Sequence, residues 1–180
     1  MHSRLMAVVI AAAFAVACTD SMQTPTGPGA LTAPVFVSAQ HDGEAHNHRT
    51  HLAGRTEVPA TDSKGQGQAI FKISRDGESM QFKLNVANIL NVTQAHIHLG
   101  APTATGGIVV WLYPSAPPLQ LIPGRTQGTL AEGTITEANF VGALEGEDFD
   151  VLLDHIRNNN AYVNVHTTQF PPGEIRGQIR

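Results

Sequence analysis

Gln68-Ala69-Ile70-Phe71-Lys72-Ile73-Ser74-Arg75-Asp76-Gly77-Glu78-Ser79-Met80-Gln81-Phe82-Lys83-Leu84-Asn85-Val86 reads as two strands and the turn between them. In the first half, Ala69, Phe71 and Ile73 alternate with other positions. In the second, Met80, Phe82, Leu84 and Val86 alternate with Gln81, Lys83 and Asn85. Period two puts each apolar set on one side of a sheet, whereas a helix would need a period near 3.6. Asp76-Gly77 between the halves adopts positive φ at little cost, so the pair predicts a hairpin.

Working outward, further strands are expected over His51–Glu57, Thr93–Leu99, Gly107–Tyr113, Gln127–Thr136, Ala161–Thr167 and Glu174–Arg180. Short strands at this spacing, divided by Gly and Pro, indicate a sandwich or barrel. One helix interrupts them: Phe149, Leu152, Leu153 and Ile156 recur at i, i+3, i+4 and i+7, a single apolar stripe. Asp148 and Asp150 suit its positive end, and His155 and Arg157 its negative end. A short turn is also expected around Glu137–Phe140. The fold class is therefore all-β: an antiparallel β-sandwich or barrel-like domain with one packed α-helix.

Composition limits the function. The chain has 180 residues, net charge −4, and only 11 scattered lysines and arginines. A nucleic-acid backbone needs clustered cations to displace its counterions, which argues against such a partner. The single cysteine, Cys18, excludes an internal disulfide.

Residues 1–17 read as a signal peptide. Arg4 supplies the positive start, and the apolar run Leu5–Val16 is too short for a stable membrane span of ~20 residues. Ala15-Val16-Ala17-Cys18 supports two cleavage readings. One is plain secretion after Ala17. The other is a bacterial lipobox, with Cys18 lipidated as the mature N-terminus and the protein held at the periplasmic or outer membrane or the cell surface. Residues 18–48 read as a flexible tether with a His-rich end. The cluster His41, His46, His48 and His51 is either a weak metal tract or a solvated linker.

Three separated phrases are distinctive together. They are Leu52-Ala53-Gly54-Arg55-Thr56-Glu57-Val58-Pro59, then Ala95-His96-Ile97-His98-Leu99-Gly100 running to Gly106-Gly107-Ile108-Val109-Val110, and finally Tyr162–Thr167 with Pro172–Ile179. In this order the segment 49–180 resembles the CHRD domain, the module described in chordin and widespread in bacterial secreted proteins. Ala60 departs from the family pattern, where a second proline is common. The resemblance implies an extracellular β module. In chordin that module accompanies cysteine-rich domains that bind bone morphogenetic proteins. Those domains are missing here, so their ligand does not carry over, and the resemblance implies no activity for bacterial members.

Chemistry concentrates on three histidines. His96 and His98 sit at i and i+2 of one strand, about 6–7 Å apart and facing one way. Ala95, Ile97 and Leu99 take the opposite, core side. On the Ala161–Thr167 strand, Val163 and Val165 are core positions, which sends Asn164 and His166 to the other face. If the strands are neighbours, His96, His98 and His166 form a site for copper or zinc on an outward sheet face. The alternative is structural: His96 and His98 bond loop carbonyls and His166 caps the Phe170–Gly173 turn. Glu174 and Arg176 are expected to form an ion pair that pins the last strand. No serine sits in a nucleophile elbow, and no His-Glu-x-x-His or paired-carboxylate pattern occurs, so catalytic residues are not assigned. Trp111 and Tyr113 form either a binding surface or part of a core rim.

These readings lead to an exported, lipid-tethered β module that binds a protein or glycan partner at the cell envelope. The alternative is a copper- or zinc-binding envelope protein. A metal-dependent redox enzyme is a distant third.

Overall fold

The computed structural model describes residues 47–180. The expected signal peptide, Cys18, most of the expected tether, His41 and His46 lie outside the described residues. Seven strands form one antiparallel sheet: β1 (Asn47–Ala53), β2 (Gln66–Ile73), β3 (Met80–Leu99), β4 (Ile108–Tyr113), β5 (Ile122–Ile135), β6 (Ala161–Thr167) and β7 (Ile175–Gln178). Following the pairings β2–β1–β7–β6–β3 and back from β3 to β2 closes a five-stranded barrel. β4 and β5 add to β3 outside that ring. Closure removes two sheet edges that would otherwise present unpaired backbone.

The quoted alternation holds through the register. β2 and β3 align Ala69 with Leu84, and Phe71 with Phe82. Across β6, Val165 stands opposite Ala95 and Ile175, and Val163 opposite Ile97. Leu52, Ala69, Phe71, Leu84, Val163 and Ile175 are buried in the core. Positions of opposite parity on the first hairpin, such as Lys72, Gln81 and Lys83, are exposed. The interior of the barrel is thus the apolar face and its exterior the polar one.

The helix α1 (Phe149–Arg157) buries the stripe of Phe149, Leu152, Leu153 and Ile156, and packs on β6. Its N-terminus is served from a distance: the Phe149 N–H donates to the Glu137 carboxylate at 2.9 Å. A negative group there also complements the helix dipole. Asn158 closes the other end through the Asp154 carbonyl, and Asn159 takes a positive φ of 55°. A 3₁₀ turn occupies Glu137–Asn139, where the sequence predicts one.

Several boundaries differ from expectation. The first strand begins at Asn47 rather than His51, and Gly54–Thr56 is a 3₁₀ turn rather than strand. β5 starts at Ile122, five residues early. The largest difference is that Met80–Val86 and Thr93–Leu99 are one 20-residue strand. The pairing shifts between Val86 and Ile89 and again between Leu90 and Val92, beside Asn88 (φ 54°) and Asn91 (φ 53°). Asparagine tolerates this left-handed backbone, so the strand bends at bulges instead of ending. The bend lets one strand serve β2 with its first half and β6 with its second.

Candidate metal centre

Parity on the second half of β3 turns His96 and His98 to the exterior, away from Ala95 and Ile97. The register sets His96 opposite Asn164 and His98 opposite Tyr162 on β6, and Gln94 opposite His166. The two strands are therefore neighbours, and the three histidines come together. Their ligand nitrogens, one per ring, lie within 4.8 Å of one another. His96 Nδ1 and His166 Nε2 are 3.2 Å apart. An ion held at ~2.0–2.1 Å spans at most about 4.2 Å between donors, so an inward movement of less than about 1 Å completes the shell.

The sequence places these imidazoles on an outward surface, and here the structure corrects it. His96 is 0 %, His98 7 % and His166 6 % exposed. Two loops and one ring cover them. His98 Nδ1 donates to the Gly106 carbonyl at 3.0 Å, and His166 Nδ1 donates to the Pro171 carbonyl at 2.8 Å. Trp111, on β4, sets its ring edge-on to His96 at 4.3 Å between centroids. The outer face of the barrel thus becomes a second, polar interior beneath residues 100–107 and 168–174.

A carbonyl only accepts, so both of those rings carry their proton on Nδ1 and keep their lone pair on Nε2. His166 Nε2 in turn accepts from His96 Nδ1. His96 Nε2 and His98 Nε2 are buried with no hydrogen-bond partner. Buried lone pairs without donors are costly, and an electrophile is the species that would satisfy them. Bonds from the far nitrogen to backbone carbonyls also orient rings for ligation. The carbonyl bonds of His98 and His166 and ligation therefore use different nitrogens, while the His96 Nδ1–His166 Nε2 bond must yield for His166 to ligate.

Burial holds all three rings neutral, the ligating form. It lowers the His96 pKa to about 3, helped by the neighbouring His166 and His98, and the His98 pKa to about 4. His166 is lowered for the same reason. The unfolded chain takes up these protons near pH 6.5, and the folded chain does not until well below that. The contribution of His96 and His98 is therefore complete above pH 6.5 and falls as pH drops toward 4, by up to about 1.4 kcal/mol per pH unit for each of the two. Urea midpoints between pH 7.5 and 4.5 test this, compared in Glu57→Gln because the carboxyl of Glu57, its pKa raised to about 7, adds stability as pH falls through the same window. A flat profile would mean that the rings are not desolvated.

Around the histidines stand residues whose part the sequence reading missed. Tyr162 stacks on His98 with centroids 4.9 Å apart and planes 6° from parallel. The Arg176 guanidinium lies over the same tyrosine ring, 3.4 Å from its centroid. Arg176, 1 % exposed, donates to the Ala101 carbonyl at 2.8 Å and the Ala104 carbonyl at 2.9 Å. Gln178 donates to the Gly100 carbonyl at 2.7 Å, and the Gly106 N–H donates to Tyr162 Oη at 3.1 Å. Four side chains of the sheet, His98 included, thus hold one loop by its backbone. Strand parity alone could have grouped Tyr162 with Asn164 and His166, and Arg176 with Gln178. Glu57 reaches Asn164 Nδ2 at 2.6 Å. Burial raises its pKa to about 7 against the lowering effect of the Arg176 charge.

The expected Glu174–Arg176 ion pair does not form. The Glu174 carboxylate accepts from Ser63 Oγ at 2.6 Å and Thr167 Oγ1 at 2.7 Å, while Arg176 binds loop carbonyls. Each side chain is claimed by a covering segment, so both pin the last strand, but to different loops. His48 and His51 belong to β1, and His51 is exposed.

No curated protein and no solved structure matches the chain. The family model of the CHRD domain matches residues 48–179, the closed barrel with its added strands, helix and histidine cluster. The chain therefore belongs to the CHRD domain family.

Proposed function

We propose that this CHRD domain is a metal-binding module, with copper or zinc held by His96, His98 and His166. The observation that carries the reading is the combination of three convergent ring nitrogens and two buried, partnerless lone pairs. Binding is favoured over catalysis because the three rings are closed to solvent, leaving a substrate no approach to the ion. The test is metal analysis of the purified full chain after loading with copper or zinc and exhaustive dialysis. One ion per chain is expected. Retention of neither metal sinks the reading.

The domain's place of work is proposed from the N-terminus. Ala15-Val16-Ala17-Cys18 supports export and lipid attachment at Cys18, which would tether the barrel to the cell envelope by residues 19–46. Mass spectrometry of the mature N-terminus is expected to find a diacylglyceryl-modified Cys18. An unmodified cysteine, or cleavage after Ala17 with a free thiol, would leave a plainly secreted protein.

A further inference from the structure

We infer that this centre selects monovalent copper over divalent zinc; the inference rests on the metal-binding reading above. Its first ground is charge. The cluster contains histidines alone, with no carboxylate or thiolate joining it among the described residues. Neutral imidazoles supply dipoles and no net charge, so the bound centre carries the full charge of the ion. The Born cost of burying a charge grows as its square, and these rings are buried. A monovalent ion therefore loses far less on entering than a divalent one.

The second ground is the surrounding charge. The stack His98–Tyr162–Arg176 places a guanidinium one ring away from the centre. No salt bridge to Arg176 occurs among the described residues. The nearby carboxyl of Glu57 bonds Asn164 rather than a histidine. The part of the Arg176 field that the Glu57 carboxyl does not offset opposes a divalent ion twice as strongly as a monovalent one.

The third ground is coordination number. Structural zinc sites are closed with four ligands, and catalytic ones complete the fourth position with water or substrate. Here three nitrogens converge and solvent is excluded. Monovalent copper is stable with three nitrogen donors in a plane. Divalent copper gains from its place above zinc in the affinity order, but it prefers tetragonal geometry and carries the same double charge.

The experiment uses the full chain with Cys18→Ser, which removes a competing thiol. It is titrated without oxygen against monovalent copper held by a chromogenic chelator, and in parallel against zinc held by a zinc-indicator dye. The same titrations on Cys18→Ser/His96→Gln/His98→Gln, checked for folding by circular dichroism, subtract the N-terminal histidines. Copper binding at least about 100-fold tighter than zinc is expected, two tenfold steps of affinity, with the difference lost in the triple variant. X-ray absorption of the copper-loaded chain should show three nitrogen donors. Zinc binding as tight as copper, with a four-donor shell, overturns the selectivity and leaves the metal reading intact. If the parent chain takes up neither ion, the metal reading itself falls and the selectivity with it.

Discussion

Replacing His96 and His98 together by alanine is expected to abolish stoichiometric metal binding, lowering affinity by more than about 1,000-fold. Losing an outer-shell partner alone typically costs 10–100-fold, and this change removes two of three donors. His166 would remain, oriented by Pro171 but alone. The measurement is metal content after dialysis, read beside a thermal melt in the absence of metal. The melt is needed because the variant also strips the Gly106 carbonyl of its donor. That loss costs about 1–3 kcal/mol, and the vacated volume adds to it. His98→Gln and His96→Gln, which preserve volume, separate the two effects: metal is lost while the fold is largely kept. A double variant that still retained one ion per chain would move the site elsewhere, to the N-terminal histidines for instance.

The largest stability effect is expected at Arg176. Arg176→Met should cost about 3–5 kcal/mol of unfolding free energy, and lower the melting temperature by roughly 10 °C or more. The side chain is buried, and its two hydrogen bonds satisfy the Ala101 and Ala104 carbonyls of the covering loop. Methionine fills the volume but leaves those acceptors unpaired and ends the contact with Tyr162. Arg176→Lys should recover little, because a point ammonium cannot reproduce a planar fork that reaches two carbonyls. As a contrast, Lys83→Met breaks the exposed 3.0 Å bridge to Glu132 and should change stability by less than about 1 kcal/mol. Near-native stability in Arg176→Met would show that the loop is held by other means.

Particular residues show where sequence reasoning worked. Parity along β3 and β6 assigned His96, His98 and His166 to the face opposite Ile97 and Val163, and the register agrees. It also inferred an outward, exposed face from that parity, and burial contradicts this. What covers the histidines is mostly the backbone of residues 100–107 and 168–174; the structural alternative anticipated carbonyl partners, met at Gly106 and Pro171, but not the burial those loops bring. The Glu174–Arg176 expectation failed similarly. Spacing of two on a strand makes neighbours, but Thr167 across the turn, and Ser63 and the loop carbonyls from afar, compete for them. Residues 87–92, with Asn88 and Asn91 among them, lie between the two strands the sequence predicts, and asparagine disfavours strands. The barrel needed the bend they permit.

By itself the sequence determined the β class, the single helix, the polarity of each strand face and the family, because local periodicity is encoded one residue at a time. Tertiary structure alone decided barrel closure, the burial of the histidines and the partners of Arg176 and Glu174. Those depend on which segments meet, and contacts between residues 70 or more positions apart leave no periodic trace in the chain.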